Sequence, residues 1–313
     1  MKKSNKLKIG IIGHGFVGKA TDYGFSRSVD KFIVDPIYKT RIKDLSTFKP
    51  EIIFICVPTP MGSEGNQDSS ILESVILEVI KECPESIKVI KSTVVPSVLK
   101  KLNELDKNLV YNPEFLREKH AEKDFQNSPM IIIGGEKKAS SRVSEIYLEN
   151  SICTTKDHVF VSIETASLIK YSINTFLATK VIFFNEIHQL FLNEEGSDTW
   201  NKFIEVMSKD KRIGETHMGV PGHDAKFGFG GACFPKDCTA LINYAEDIGV
   251  DLSVLKRVVN KNNSIRTKYT DLELREKDQN ITFNDKIWHQ CPGGEIGRHK
   301  GLKIPRRKLR AGS

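Results

Sequence analysis

Short runs rich in isoleucine and valine alternate with helix-length segments from residue 7 to residue 162. The runs are LKIGII, KFIVD, EIIFICV, SIKVIKS, NLVYN, MIIIGG and HVFVSI. Nearly continuous apolar strands separated by helices are typical of a parallel sheet that is covered on both faces. The alternation therefore predicts an α/β fold, with a doubly wound parallel sheet as the first domain, residues 1–162.

The second part of the chain has a different pattern. No proline or glycine occurs between Glu164 and Glu195. This predicts one long helix followed by a small helical domain, together spanning residues 163–266. From residue 267 to 313 the periodicity fades, and we expect a polar, basic and disordered tail. The apolar stripe of the long helix runs through Ile169, Ile173, Leu177 and Phe184.

Charge and cysteine content exclude several functional classes. The net charge is +7, but residues 291–313 alone carry seven Lys and Arg against one Glu, so the rest of the chain is nearly neutral. A folded nucleic-acid-binding face is therefore not expected. The six cysteines form no CxxC pair, and no metal site is expected. Without a signal peptide or an apolar run long enough for a bilayer, the predicted location is the cytoplasm.

The segment KIGIIGHGFVGKA has the G-x-G-x-x-G spacing directly after a predicted strand. Glycines there allow a tight turn and the close approach of a pyrophosphate to a helix N-terminus. A strand-to-helix turn without a ligand can show the same spacing. Asp35 at the end of the next strand suits the ribose hydroxyls, and CVPTP ends the third strand beside the expected cofactor. We therefore predict a Rossmann domain that binds NAD rather than NADP, through Gly13, Gly15, Phe16, Val17, Gly18, Asp35, Val57, Pro58 and Thr59.

Four further motifs follow in order. They are KSTVVP (91–96), NPEFLREKHA (112–121), KYSINTFLATK (170–180) and VPGHDAKFGFGGACFPKD (220–237). Together they closely resemble the UDP-glucose/GDP-mannose dehydrogenase family over residues 6–263, and most of all its UDP-glucose branch. The resemblance adds Ser92, Thr93 and Glu118 to the expected cofactor site.

The resemblance implies oxidation of a primary alcohol to a carboxylate by two hydride transfers to two NAD+. An aldehyde cannot release hydride until a nucleophile has added to it, and a thiolate is a strong nucleophile for this purpose. By its match to the cysteine motif, Cys233 is expected to form a thiohemiacetal and then a thioester.

The resemblance also assigns the other catalytic residues. Lys170 and Asn174 lie four residues apart on one helix face, and they are expected to bind the oxygen that is oxidised. A solvated helix surface is the alternative for this pair, but their neighbours at i−1 and i+3 are apolar. Glu114 is the expected general base for hydrolysis. Thr93 is expected near the attacking water, and Asp237 is expected to orient that water and Lys170.

The resemblance also implies contacts with the substrate in two loops. Glycines allow close approach of the backbone to a sugar nucleotide. The expected substrate residues are Glu114, Phe115, Leu116, Lys170, Asn174, Phe227, Gly228, Phe229, Gly230 and Gly231. A homodimer formed through the long helix is also implied.

The sequence departs from the family pattern after residue 266, where no third, Rossmann-like domain is recognisable. Three functions stay open: a UDP-glucose 6-oxidising enzyme, a β-hydroxyacid dehydrogenase, and a non-catalytic nucleotide-binding or dimerising remnant. The substrate alternatives are UDP-N-acetylmannosamine and GDP-mannose. For the basic end, the alternatives are a solvated tail, read-through into a tRNA gene and a nucleic-acid arm.

Overall fold

A seven-stranded sheet forms the N-terminal half of the computed structural model, which describes residues 6–25, 29–117 and 120–284. The strand order is β2-β1-β3-β4-β5-β6-β7. The predicted α/β class with a doubly wound sheet is confirmed, and the observed sheet is mostly parallel. The strands are β1 (Lys8–Ile12), β2 (Asp30–Val34), β3 (Ile52–Ile55), β4 (Ile87–Ile90), β5 (Leu109–Tyr111), β6 (Ile131–Gly135) and β7 (His158–Val161).

Helices cover both faces of the sheet. All four residues of β3 are fully buried. Ile53 and Ile55 belong to the core cluster on one face, and Ile52 and Phe54 belong to the cluster on the other, as the two-residue period of a strand requires. The flanking helices are α1 (Phe16–Gly24), α2 (Asp44–Phe48), α3 (Ser70–Glu82), α4 (Pro96–Leu105), α5 (Ala121–Gln126) and α6 (Lys137–Asn150).

Strand β6 is an exception within the mostly parallel sheet, because it pairs with β5 in the antiparallel sense. Among the described residues between these two strands, helix α5 has 6 residues. At 1.5 Å per residue it spans about 9 Å, too short to carry the chain back across the sheet. The chain therefore turns back at the edge of the sheet where β5 ends, so that β6 runs in the opposite direction to β5. Strand β7 is parallel to β6, so the last two strands run against the first five.

Helix α7 (Ile163–Leu192) begins at the sheet edge where β7 ends and has 30 residues, as predicted. Its N-cap Ser162 accepts a hydrogen bond from the backbone N–H of Thr165. A Cβ at Gly134 would lie 2.7 Å from the Cβ of Ala166, so the absence of that atom lets the helix pack against β6. Helices α8 (Trp200–Ser208), α9 (Phe234–Asp247) and α10 (Ser253–Arg266) complete the helical part.

Residues 267–284, which we call the C-terminal strap, have a defined structure where the sequence predicted disorder. The strap contains helix α11 (Leu274–Asp278), and Ile281 within it is buried. The backbone N–H of Met61 donates to the carbonyl of Gln279 over 3.0 Å. The basic end, with Cys291 and His299, lies outside the described residues. No helix of the described ranges combines the length and apolar content that a membrane span needs.

Candidate active site

The turn between β1 and α1 has the geometry of a dinucleotide-binding loop. Gly13 has φ +83°, and a Cβ there would lie 2.8 Å from the carbonyl oxygen of Cys56. A Cβ on Gly18 would lie 1.9 Å from the carbonyl oxygen of Gly13, so this position requires glycine. A Cβ on Gly15 would meet nothing within 4 Å. The loop is thus tight on its inner side and open at the N-terminus of α1, beside Phe16 and Val17, where a pyrophosphate would bind.

Asp35 lies at the end of β2 and is buried. Its carboxylate accepts hydrogen bonds from the backbone N–H of His14 at 2.7 Å and of Ile37 at 3.0 Å. A carboxylate has about four acceptor positions, so two stay available for ribose hydroxyls. These residues fit NAD.

The ends of β3 and β4 are held together by side-chain hydrogen bonds. Ser92 donates to the carbonyl of Val57 at 2.6 Å, and Thr59, which follows Pro58, donates to the carbonyl of Thr93 at 2.9 Å. Gln67 also donates to Thr93, at 2.6 Å, and to the hydroxyl of Tyr171 on α7, at 3.0 Å. Gln67 therefore connects this edge of the sheet to α7. The sequence analysis missed it because its partners are distant in sequence.

A buried lysine also stabilises the sheet edge at which β3 and β4 end. Lys91 donates to the backbone and side-chain oxygens of Asn112 at 3.2 and 2.9 Å, and Tyr147 donates to the same side-chain oxygen at 2.7 Å. Burial lowers the pKa of Lys91 to about 8. The first residue of KSTVVP thus fixes the start of the loop that carries Glu114.

Lys170 on α7 lies against that loop and is buried. Its ammonium donates to the backbone carbonyl of Glu114 and lies 3.6 Å from the carboxylate of the same residue. It also lies 4.8 Å from the ring centroid of Phe115. The carboxylate of Glu114 accepts from the backbone N–H of Leu116 at 2.6 Å. Glu118 lies outside the described residues.

Asp237 is fully buried at the start of α9. Asn174 on α7 donates to one of its oxygens at 2.6 Å, and Lys236 donates to the other at 2.5 Å. These partners differ from Lys170, which the resemblance implied, because the Lys170 ammonium is directed to Glu114. Lys236 is a residue that the sequence analysis did not select, although it lies inside the quoted FPKD motif. Burial alone would lower its pKa, but Asp237 and Cys233 raise it.

Cys233 is the N-cap residue of α9 and is partly buried. Burial raises the pKa of its thiol above the ordinary value. The carboxylates of Asp237 and Glu114 act in the same direction, whereas the ammonium groups of Lys236 and Lys170 oppose the rise. These four charged side chains thus all act on the pKa of the Cys233 thiol, and burial favours its neutral form.

Four backbone N–H groups of residues 227–231, which we call the glycine loop, have protein partners. Gly228 donates to Asn185 at 2.9 Å, and Phe229 donates to Asn262 at 2.7 Å. Phe227 and Gly231 donate to side chains of the strap, described below. The sequence expectation was that these groups bind substrate. Gly230 has a close neighbour as well, since a Cβ there would lie 2.7 Å from a carboxylate oxygen of the strap.

Comparisons with known proteins agree with the motifs. Residues 39–150 match the NAD-binding domain of the UDP-glucose/GDP-mannose dehydrogenase family, and residues 164–264 match its central domain. The UDP-glucose 6-dehydrogenase of Rickettsia bellii is 34% identical over 254 residues, which are 76% of this chain and 56% of that protein. The chain thus spans little more than half the length of this curated relative.

Solved structures show the same fold. The UDP-glucose dehydrogenase of Pyrobaculum islandicum superposes with a TM-score of 0.69 at 27% identity, over 84% of this chain and 69% of the other. The 3-hydroxyisobutyrate dehydrogenase of Mycobacterium tuberculosis gives a TM-score of 0.63 at 15% identity, over 85% of this chain and 96% of the other. The second likeness concerns the fold alone.

Proposed function

This chain belongs to the UDP-glucose/GDP-mannose dehydrogenase family, and from that premise we propose that it oxidises the primary alcohol of UDP-glucose to the carboxylate with NAD+. The observation that supports this proposal best is the environment of Cys233. A thiol at a helix N-terminus lies among Lys170, Lys236, Asp237 and Glu114, and each of these groups acts on its pKa. Two carboxylates and two ammonium groups around one nucleophile suit acid–base and oxyanion chemistry at a single carbon.

The chain's own residues have distinct roles in this proposal. Lys170 and Asn174 hold the sugar oxygen and stabilise its negative charge while a proton is lost. When bound, NAD+ accepts the hydride in each of the two oxidation steps. The neutral Cys233 thiol adds across the aldehyde, so that sulfur bonds to carbon and the proton goes to oxygen. Loss of hydride and of that proton from the thiohemiacetal gives the thioester.

Hydrolysis of the thioester completes the reaction. Glu114 removes a proton from the attacking water, and the thioester carbon–sulfur bond breaks to give the carboxylate and the free thiol. Asp237 keeps Asn174 and Lys236 in place through its two short hydrogen bonds. Thr93, which follows the end of β4, is the residue that we propose beside the attacking water. A free thiol as nucleophile requires a reducing compartment, and we propose the cytoplasm as the location.

The yield of NADH tests this function. Purified protein with limiting UDP-glucose and excess NAD+ should form two NADH for each UDP-glucose consumed, together with UDP-glucuronate detected by mass spectrometry. GDP-mannose and UDP-N-acetylmannosamine, run in parallel, define the substrate preference. Two hydrides are expected because the thiohemiacetal makes the second oxidation accessible.

Each other outcome favours a different function. One NADH per hydroxyacid substrate, with Cys233→Ala fully active, would favour a β-hydroxyacid dehydrogenase, which needs no cysteine. Binding of NAD+ in calorimetry without NADH from any UDP- or GDP-sugar would favour a non-catalytic nucleotide-binding module.

We also propose a homodimer formed through α7. Phe176, Phe183 and Leu190 are exposed and seven residues apart, so they form one apolar stripe along the helix. A second copy of the helix would cover this stripe. Phe183→Glu should convert a dimer to a monomer in light scattering, whereas Phe160→Glu, at an equally exposed position on β7, should leave the dimer intact. A monomeric parent protein would contradict the proposal.

A further inference from the structure

The glycine loop has two kinds of backbone partner. Its inner N–H groups, on Gly228 and Phe229, donate to Asn185 and Asn262, which are buried side chains of α7 and α10. These bonds fix the shape of the loop. Its outer N–H groups, on Phe227 and Gly231, have partners only in the strap among the hydrogen bonds of the described residues.

The strap contacts the outer groups through polar oxygen atoms. The N–H of Phe227 donates to the hydroxyl of Tyr269 at 3.1 Å, and the N–H of Gly231 donates to the carboxylate of Glu276 at 2.8 Å. Glu276 is almost fully buried. Its other oxygen accepts from the backbone N–H of Glu273 at 2.8 Å, which holds the carboxylate in place.

Lys226, next to the loop, forms a third contact of the same type. It is buried, and its ammonium donates to the backbone carbonyl of Asp271 and lies 2.9 Å from the carboxylate of that residue. The carboxylate side chain of Asp271 is 79% exposed. A buried ammonium is thus neutralised by a carboxylate that lies mainly in solvent.

Together these strap groups present two carboxylates, one hydroxyl and one carbonyl to one ammonium and two amide donors. An anionic ligand rich in hydroxyl groups, such as a nucleoside diphosphate sugar, would present the same kinds of atom. We propose that the strap is an autoinhibitory mimic of such a ligand, and that Lys226 binds the ligand's diphosphate after the strap has left. This inference rests on the proposed function, because it requires an anionic nucleotide sugar as substrate.

The strap also contacts the turn between β1 and α1, where the cofactor is expected to bind. The guanidinium of Arg275 lies 4.3 Å from the ring centroid of Phe16, at the N-terminus of α1, and Gln279 accepts from Met61. One segment therefore spans the expected sites of both ligands. Release of the strap from the glycine loop would open both sites together.

The two partners of one ion pair should respond in opposite directions. Asp271→Asn weakens the strap without touching the ligand, so the Kd for UDP in calorimetry should fall about twofold to fivefold, as expected for loss of a partly exposed ion pair. Lys226→Met removes the proposed diphosphate contact, and the Kd for UDP should rise about tenfold. Asp278→Asn makes the same charge change at an exposed strap position without a contact to the loop and should leave the Kd unchanged.

Hydrogen exchange gives a second readout. Backbone amides of residues 267–281 should exchange faster when UDP is added to the parent protein. Increased protection of these amides, or a rise in Kd for both Asp271→Asn and Lys226→Met, would mean that the strap is part of the binding site and would overturn the autoinhibitory proposal. The NADH yield is measured separately, so failure of the strap proposal in an active enzyme leaves the proposed function intact.

Discussion

Replacement of Cys233 by alanine should lower the steady-state rate of carboxylate formation by about a thousandfold or more, because the second oxidation then has no nucleophile. The first oxidation does not require the sulfur. With enzyme and NAD+ in excess over UDP-glucose, the variant should therefore release at most one NADH per sugar, and the parent protein should release two. Stopped-flow absorbance measures the NADH, and mass spectrometry detects the thioester adduct on the parent protein.

Cys238 provides the matched control. It lies five residues further along and is fully buried in the core formed by α7, α9 and α10. Cys238→Ala removes a thiol of the same motif and should cost about 1 kcal/mol of stability, as small core truncations do, with the yield of two NADH unchanged. A fully active Cys233→Ala variant that still yields two NADH would falsify the thioester route.

The strands and the long helix could be predicted because their signals are local. Each apolar run and the thirty-residue helix depend on spacing within one segment. The direction of β6 could not be predicted this way, because it depends on the short α5 failing to cross the sheet. The ordered strap was missed for a related reason. Its polar sequence shows no periodicity, and Glu276 and Ile281 become buried only by packing on elements distant in sequence.

The candidate site was also only partly predictable from the sequence. Motif matches selected Cys233, Lys170 and Asp237, and in the structure the two charged side chains act on the pKa of the Cys233 thiol. Their partners were not predictable, because the bond from Asn174 to Asp237 joins residues 63 apart and the contact from Lys170 to Glu114 joins residues 56 apart. The glycine loop shows the limit most clearly. Glycine content indicates that a backbone is accessible, but it does not indicate whether a ligand or a protein side chain is the partner.

Lys170→Met should reduce kcat by a factor of about 10² to 10³, the range typical for loss of one group that stabilises an oxyanion. Methionine keeps the length and the apolar stem of the side chain. It removes the ammonium that donates to the carbonyl of Glu114 and opposes the rise in the pKa of the Cys233 thiol. The KM for UDP-glucose should change much less than kcat, because the charge on the oxygen develops mainly in the transition state. Steady-state kinetics measures both parameters.

A variant at a second buried lysine of α7 distinguishes a catalytic role of Lys170 from a structural one. Lys180 is also buried, and it donates to the carbonyls of Ile213 and Gly214 rather than to Glu114. Lys180→Met leaves these carbonyls without their donor, so it should lower the melting temperature at least as much as Lys170→Met does. Its kcat should stay within about threefold of the parent value, since Lys180 has no assigned role in the reaction. Equal losses of kcat in the two variants would mean that Lys170 acts by holding the loop, and its oxyanion role would then have to be abandoned.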